Sequence, residues 1–319
     1  MIQTRNLVRT FETERGPVEA VRGIDIDVAP GEIAAILGPN GAGKSTTLRM
    51  LTTLLRPTSG SAFVAGIDVT EDPVGVRRRI GHIGQGNGSF DGLRVIEELF
   101  SQARLHGLSR STARSRTTQL LDQLQLRDLA QRDVATLSGG QRRRLDVALG
   151  LVHEPATVFL DEPSARLDPQ SRANLWDHIE RLRLERGTTL VLTTHYLDEA
   201  DAVADRVIVI DHGTIIASGT PDELKGGVSG DLVSLELGEM DDAASAAEVA
   251  KGLPGTADVT GDGRAVRFRV ERGDTVTPQL VRALDAAQIS LRATQVRRPT
   301  LDDVFLSLTG RSLRDEEAA

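Results

Sequence analysis

One stretch of nine residues decides the fold: Gly38-Pro39-Asn40-Gly41-Ala42-Gly43-Lys44-Ser45-Thr46. An apolar run, Ile33–Leu37, stands before it, and apolar residues three or four positions apart follow it in 47–55. These patterns predict a buried strand, a glycine-rich loop and a helix in succession. In that context the spacing G-x-x-x-x-G-K-[ST] is typical of a loop that holds nucleotide phosphates. The sequence therefore predicts an α/β domain organised around a phosphate site.

Each residue type in this phosphate loop has a physical reason to be there. Glycines let backbone N–H groups turn inward, and the N-terminus of the next helix adds about half a positive charge. Lys44 adds a full positive charge, and the hydroxyl of Ser45 is a ligand that Mg²⁺ accepts. The alternative is a glycine-rich turn that only caps a helix, and the strand and helix patterns on both sides argue against it.

Composition narrows the class of protein. A chain of 319 residues exceeds the usual size of one domain, so we expect two. The net charge of −8 argues against nucleic acid as a main partner. Cysteine is absent, which excludes disulfides, thiol catalysis and cysteine-bound metals. The 6 histidines are scattered, and their spacing argues against a structural zinc site.

The sequence contains no segment that is expected to insert into a membrane. No run approaches the roughly 18 apolar residues of a membrane span, and the start, Met1–Asn6, lacks the apolar core of a signal peptide. We therefore expect a cytosolic protein, unless a partner holds it elsewhere.

Two later strands end in side chains that carry chemistry. A β-rich run over 157–160 delivers Asp161 and Glu162, and a later apolar run ends in His195. Open α/β sheets place their ligands at the carboxyl ends of parallel strands. Asp161 is expected to hold Mg²⁺ together with Ser45. Glu162 is expected to orient or deprotonate the attacking water, and His195 to reach the γ-phosphate. The alternatives are a solvated turn after the first run and a packed histidine after the second.

Two further glycine-rich segments are candidates for the same site. Gln85 lies in a loop, 84–89, whose glycines let its amide move toward or away from a ligand. Ser138 is predicted to cap a helix, and the two glycines after it let backbone N–H groups approach an anion. A plain surface loop and a capped helix are the alternatives, and the second does not explain two successive glycines followed by Gln141.

The segments around these motifs predict the secondary structure that surrounds the candidate site. Residues from about 88 to 150 have helical periodicity and interrupt the α/β core, so they are expected to form an inserted helical subdomain. Residues 1–31 predict antiparallel strands, most clearly in the alternating run 24–28. Phe11 in this region either stacks on an adenine ring or packs in the core of its strand.

The motifs occur once each in a fixed order, and together they resemble the ATP-binding subunit of an ABC transporter. The phosphate loop, Gln85, the signature LSGGQ at 137–141, VFLDEP at 158–163 and the TTH segment at 193–195 all match, and the resemblance covers residues 1 to about 225. The five-residue signature makes it specific, since other phosphate-loop enzymes lack it. Arg142-Arg143-Arg144-Leu145 and the segment 298–306 further resemble the daunorubicin-resistance type of drug exporter.

This resemblance implies a P-loop NTPase fold with the inserted helical subdomain, in an ATP-binding domain over 1–225. It implies ATP as the ligand and Mg²⁺ held by Ser45, Gln85 and Asp161. Hydrolysis is assigned to Glu162, His195 and Gln85. The residues expected to bind the nucleotide are Phe11, Gly38, Pro39, Asn40, Gly41, Ala42, Gly43, Lys44, Ser45, Thr46, Ser138, Gly139, Gly140, Gln141 and Asp168.

The resemblance also implies partners. Two copies form a head-to-tail dimer in which Ser138 and Gly140 act on the ATP of the other copy. A separate integral membrane permease holds this dimer at the inner face of the cell membrane, and the dimer powers export of a hydrophobic small molecule or drug. The alternative is a soluble ABC ATPase that remodels ribosomes or DNA. Such proteins usually carry two cassettes or a long coiled-coil insertion, and neither pattern is found here.

Two positions depart from the usual pattern of the family. Ser164-Ala165-Arg166 stands where relatives commonly carry Thr-x-Gly, and Gly84 precedes Gln85 where proline is frequent. Neither change removes a catalytic group, but both bear on coupling between the two sites of a dimer.

Residues 226–319 are expected to form an accessory α+β domain after a linker at 225–230. The order βαββαβ indicates a ferredoxin-like fold. The expected elements are strands at 232–237, near 257–259, at 265–270 and at 289–296, helices at 241–252 and 278–288, and a turn at 261–263. A final helix over 300–308 presents Leu301, Val304, Phe305 and Leu308 on one face, for packing in its own chain or in a dimer.

Overall fold

The computed structural model of the chain describes residues 1–310 except 87, 166, 229, 240 and 241, and at Leu182 and Arg186 it describes the backbone alone. The chain divides into two compact units, with the boundary between Pro221 and Asp222. The expectations for Arg166 and for a helix start at Asp241 lie outside the described residues.

The first unit begins with an antiparallel sheet of strand order β2-β1-β5-β6, with β3 also paired to β1. Its strands are β1 (Ile2–Thr13), β2 (Gly16–Ile24), β3 (Asp27–Val28), β5 (Ser59–Val64) and β6 (Ile67–Asp68). The prediction of one strand over 24–28 is wrong, although Ile24, Ile26 and Val28 are buried as the alternation requires. The strand is broken because Thr4 bonds both the N–H and the carbonyl of Ile26, which takes them out of a regular ladder.

The second sheet of this unit carries the phosphate loop. Its order is β11-β10-β4-β9-β8-β7, and the five strands from β10 to β7 are parallel. The strands are β4 (Ile33–Leu37), β7 (Ile80–Ile83), β8 (Thr157–Asp161), β9 (Thr189–Thr193), β10 (Arg206–Asp211) and β11 (Thr214–Gly219). Every residue of β4, β8 and β9 is buried, as expected for central strands covered on both faces.

Helices cover this sheet and fill the insertion between β7 and β8. They are α1 (Lys44–Leu51), α2 (Pro73–Arg79), α3 (Val95–Leu105), α4 (Arg110–Gln123), α5 (Gly139–Leu151), α6 (Pro169–Arg186) and α7 (Leu197–Val203). The sequence did not predict α2. Asp72 caps it by accepting from the N–H of Gly75, and Pro73 occupies the first turn, where its missing N–H costs nothing.

The second unit has the split βαβ order of a ferredoxin-like fold, as predicted. Its four strands are antiparallel in the order β13-β14-β12-β15. The elements are α8 (Pro221–Gly226), which begins at the boundary, β12 (Asp231–Leu237), α9 (Ala243–Lys251), β13 (Thr256–Asp262), β14 (Ala265–Val270), α10 (Gly273–Ala286), β15 (Leu291–Arg297) and α11 (Leu301–Thr309).

Three local predictions for the second unit are wrong. Lys225 and Gly226 belong to α8 and not to a linker, because Pro221 starts a helical turn there. The turn after β13 lies at 263–264, since residues 261–262 still pair with β14. Helix α10 begins at Gly273, whose N–H donates to Asp231 Oδ2 at 2.9 Å, and not at residue 278.

The final helix matches its predicted apolar face except at one end. Leu301, Val304 and Phe305 are buried, but Leu308 is 47% exposed. The reason is its place in the last turn, next to Gly310, which ends the helix in a left-handed conformation.

Candidate active site

The phosphate loop connects β4 to α1 and fits tightly against its surroundings. A Cβ at Gly38 would lie 2.0 Å from the carbonyl oxygen of Ile210, and one at Gly43 would lie 2.5 Å from that of Ala20. Both backbones have positive φ, 151° and 105°. Only glycine fits at these positions, so the close packing of the loop depends on them.

Lys44 is the buried positive charge of the loop. Only 5% of its surface is exposed, and its Nζ donates to the carbonyls of Gly38 at 2.6 Å and Pro39 at 2.9 Å. The ammonium is therefore held beside the loop at the N-terminus of α1, where the helix dipole adds positive potential.

The carboxyl ends of β8 and β9 meet the start of α1 at Asp161. This carboxylate is 3% exposed, and its Oδ1 accepts from Ser45 Oγ at 3.0 Å and from Thr193 Oγ1 at 2.6 Å. Sequence reasoning missed Thr193, although a threonine that closes an apolar strand beside a proposed phosphate site is a usable signal. The amide nitrogen of Gln85 lies 3.4 Å from Ser45 Oγ. The structure thus brings Ser45, Gln85 and Asp161 together.

Glu162 follows Asp161 in a backbone conformation that is rare for a side-chain-bearing residue. Its φ is +47°, and its N–H donates to both the carbonyl and the hydroxyl of Thr193, at 3.1 Å each. Such a conformation persists only where surrounding contacts fix it, and it is often found at functional sites.

His195 stands beside that carboxylate. Its Nδ1 lies 3.7 Å from Glu162 Oε1, and both side chains are partly exposed. The polar contact with His195 lowers the pKa of Glu162, and burial opposes this effect, while the charges of His195 and Lys44 lower the pKa further. Glu162 is therefore ionised at neutral pH and can accept a hydrogen bond from a water molecule.

The signature residues form the first turn of α5. Ser138 Oγ accepts from the N–H of Gln141 at 3.3 Å, and Gln141 Oε1 accepts from the N–H of Ser138 at 3.0 Å. This capping box confirms the predicted N-cap. Gly139 and Gly140 are the first two residues of α5. In the part of the chain that the structure describes, the hydrogen bonds of Ser138 and Gln141 stay within this turn.

Two other predicted residues have structural contacts of their own. Asp168 caps α6 through Ser171, whose N–H it accepts at 2.9 Å and whose hydroxyl it accepts at 2.5 Å. Phe11 is half-buried on β1, and the guanidinium of Arg9 lies 4.6 Å from its ring centroid. Stacking of Phe11 on adenine stays a prediction.

The unusual Ser164 is buried in the segment after Glu162. Its hydroxyl donates to Glu199 Oε2 at 2.6 Å, and Glu199 is also paired with Arg172 at 3.1 Å. Ser164 therefore fixes the segment between β8 and α6 to α7.

The donors around Asp161 suit Mg²⁺ by their chemistry. Among the described residues, no three His, Asp or Glu side chains cluster as a metal site. A hydroxyl, a carboxylate and an amide nevertheless converge on one point, and they are hard ligands that hold Mg²⁺ alongside water and substrate phosphates.

Comparison with known proteins identifies the family of this chain. The ABC transporter family matches residues 21–165, and the family described as "ATP-binding protein DrrA1-3-like, C-terminal domain" matches residues 219–309. The daunorubicin/doxorubicin resistance ATP-binding protein DrrA of Streptomyces peucetius is 44% identical over 100% of this chain and 96% of its own length. The chain belongs to the ABC transporter family, as a DrrA-like ATP-binding protein.

Other relatives and solved structures agree with the family. The doxorubicin resistance ATP-binding protein DrrA of Mycobacterium tuberculosis (strain ATCC 25618 / H37Rv) is 43% identical, covering 92% of this chain and 90% of its own. A dimeric ATP-binding cassette in a post-hydrolysis state, bound to ADP and phosphate, aligns with a TM-score of 0.64 at 25% identity, over 69% of this chain and 98% of its own. The P-loop NTPase fold is thus confirmed, and the DrrA-like protein binds ATP and couples its hydrolysis to transport. The ribosome or DNA alternative finds no support among these relatives.

No helix within the described residues has the length and apolar character needed to cross a membrane.

Two of the three glycines in the phosphate loop, Gly41 and Gly43, allow a matched test. Gly43→Ala is expected to lower ATP affinity at least about 10-fold, because its Cβ meets the Ala20 carbonyl and the loop must shift. Gly41→Ala, with φ of 80° and no atom within 4 Å of the added Cβ, is strained by about 1 kcal/mol only. Binding of a fluorescent ATP analogue measures both, and equal losses would contradict the role of close packing.

Proposed function

We propose that this chain is the ATP-hydrolysing subunit of an exporter for a hydrophobic small molecule or drug. The observation that carries the proposal is the match to drug-resistance ATP-binding proteins along the whole chain, including the C-terminal unit. The transport path lies in a separate integral membrane permease, which holds the chain at the inner face of the cell membrane. Nucleic acid has no part in this function.

The proposed domain assignment follows the same comparisons. The ATP-binding domain spans 1–225, with its helical subdomain at about 88–150, and the accessory domain spans 226–319. The family matches at 21–165 and 219–309 and the compact units on either side of residue 221 support two domains, with a boundary a few residues earlier than 225.

In the proposed mechanism the phosphate loop binds the nucleotide. Backbone N–H groups of residues 40–46 surround the phosphates, and Lys44 neutralises part of their charge. Ser45, Gln85 and Asp161 would hold Mg²⁺, which supplies further positive charge to the phosphates when bound. Thr193 keeps Asp161 aimed at that position through its 2.6 Å hydrogen bond.

Glu162 acts on the attacking water in this mechanism. Its ionised carboxylate accepts a hydrogen bond from the water and aligns it with the γ-phosphate. His195 stands beside Glu162 and lowers the pKa of its carboxyl. In this mechanism His195 also contacts the γ-phosphate, so that its position depends on whether that phosphate is present. Loss of the phosphate on hydrolysis would then be signalled through His195.

Each site is completed by a second copy of the chain. Ser138, Gly139, Gly140 and Gln141 at the N-terminus of α5, together with Asp168, face the ATP of the partner in a head-to-tail dimer. Helix α5 has 13 residues, so its N-terminus carries a substantial positive potential for a γ-phosphate. Dimeric cassettes among the solved relatives support this arrangement. ATP binding closes the dimer and hydrolysis reopens it, which moves the permease.

Glu162→Gln tests the assignment of the catalytic carboxylate. Hydrolysis is expected to fall at least about 100-fold, because the amide cannot accept the proton of the attacking water. ATP binding remains, so ATP-bound dimers accumulate and are detected by size-exclusion chromatography. Glu180→Gln, on the exposed surface of α6, is the control and keeps full turnover. Unchanged turnover in Glu162→Gln would remove this role.

Ser138→Arg tests the shared site. The arginine should block the approach of the partner's ATP, so dimers and turnover are lost while ATP binding to the monomer persists. Ser109→Arg is the matched control, because Ser109 caps α4 through Thr112 as Ser138 caps α5. Both variants lose a helix cap, and only Ser138→Arg is expected to lose hydrolysis. Normal hydrolysis by a Ser138→Arg monomer would contradict the proposal.

Transport tests the export proposal itself. If a membrane protein with about six spans is encoded beside this chain, inside-out membrane vesicles that contain it should accumulate daunorubicin when this chain and ATP are added. Quenching of daunorubicin fluorescence measures the accumulation, and Lys44→Ala serves as the inactive control. If the chain does not bind such vesicles, or fractionates with ribosomes instead, the proposal fails.

A further inference from the structure

The guanidinium of Arg143 lies where three functional segments meet. It extends from the second turn of α5 and donates from Nη1 to the carbonyl of Gly84 at 2.6 Å and from Nε to the carbonyl of Pro163 at 2.7 Å. Longer hydrogen bonds, 3.4 Å each, join Nη2 to the carbonyls of Asp161 and Glu162. One side chain therefore binds the residue before Gln85 and the segment that carries both active-site carboxylates.

The loop that carries Gln85 is held by α5 at both ends. Arg143 binds its first residue, Gly84, while Asp146 Oδ1, one turn further along α5, accepts from the N–H groups of Gly88 at 3.2 Å and Ser89 at 3.0 Å. Arg142 adds a hydrogen bond to the Ser89 carbonyl at 2.7 Å. A displacement of α5 must therefore displace this loop.

Arg143 is buried, and its planar guanidinium fixes the directions of its hydrogen bonds. Only 7% of its surface is exposed. Burial lowers the pKa of Arg143, and the charges of Asp146 and Asp161 act in the opposite direction. A planar guanidinium donates in fixed directions, so it sets the spacing between the Gly84 and Pro163 carbonyls. A lysine ammonium is a point donor without this rigid fork.

We propose that Arg143 is a positioning residue for ATP hydrolysis, which fixes the Gln85 loop and the Asp161–Pro163 segment at the spacing that lets Gln85 and Asp161 meet at Ser45. The proposal rests on the Mg²⁺ site of the proposed function. Because α5 begins at the signature, it also connects the surface offered to a partner's ATP with the donors of the chain's own site. Movement of α5 on dimer closure would thus be transmitted through Arg143 to Gln85 and Asp161.

The test measures nucleotide affinity with and without Mg²⁺, by equilibrium binding of a fluorescent ATP analogue to the full chain. Arg143→Gln should leave the affinity in EDTA within about 2-fold of the wild type, because the phosphate loop is intact. The gain in affinity on adding Mg²⁺ should shrink by about 10-fold, the scale seen when partners that orient metal ligands are removed. Turnover should fall, and the KM for ATP measured with Mg²⁺ should rise, because the Mg²⁺-dependent part of the affinity is reduced.

Three further variants make the result decisive. Arg144→Gln is the matched control, since Arg144 donates to the carbonyls of Leu124 and Gln125 and should keep the full Mg²⁺ effect. Arg143→Lys keeps the positive charge but lacks the planar guanidinium, so its Mg²⁺ effect should also be reduced. This variant replaces Arg143→Gln if the glutamine variant does not fold. Asp161→Asn removes a proposed metal donor directly and sets the size of a full loss.

The outcomes separate the two ideas. A reduced Mg²⁺ effect in both Arg143 variants, with Arg144→Gln unchanged, supports the proposal. A loss in Asp161→Asn alone overturns the role of Arg143 and leaves the metal site standing. If Asp161→Asn also keeps the full Mg²⁺ effect, the metal site of the proposed function is wrong and the Arg143 proposal falls with it. Equal losses of affinity in EDTA and in Mg²⁺ overturn it too, since they indicate general damage.

Discussion

The hydrogen bonds that converge on Asp161 hold the candidate active site together. A carboxylate buried this deeply must be hydrogen-bonded or bind a metal, because isolated burial of its charge is very costly. Ser45 donates to it from the start of α1 and Thr193 from the end of β9, so one oxygen ties the phosphate loop to two central strands. The parallel register of β4, β9 and β8 brings these groups to the same sheet edge. Gln85, Glu162 and His195 are then arranged around that point.

Other contacts in the first unit connect Asp161 to the surface that is proposed to face a second copy. Helix α5 starts at the signature, and its second turn holds both the Gln85 loop and the end of β8. The buried hydroxyl of Ser164 fixes the segment after Glu162 to α7, the helix that begins just after His195. The groups proposed to act on a partner's ATP and those proposed to act on the chain's own ATP are thus joined by short, rigid connections. In this view the phosphate loop forms half of a nucleotide site that two copies of the chain share.

The sequence predicted the features that depend on local chemistry. The strand–loop–helix at 33–51, the cap at Ser138 and the βαββαβ order all follow from spacing and residue type, and the structure contains each of them. It did not predict features set by contacts distant in the chain. Thr4 breaks the strand at Ile26 from 22 residues away, and Asp231 fixes the start of α10 from 42 residues away. Arg143 was missed as a site residue for the same reason, since its proposed role depends on partners that only folding brings near.

Cross-linking between two differently tagged copies tests the shared site most directly. The chain has no cysteine, so Asn40→Cys in one copy and Ser138→Cys in the other provide the only thiols. With Glu162→Gln in both copies to retain ATP, a short bis-maleimide should yield a covalent heterodimer in ATP and little without nucleotide. A cross-link of equal yield without nucleotide, or none while both copies bind ATP, would contradict a site built from the phosphate loop of one copy and the signature of the other.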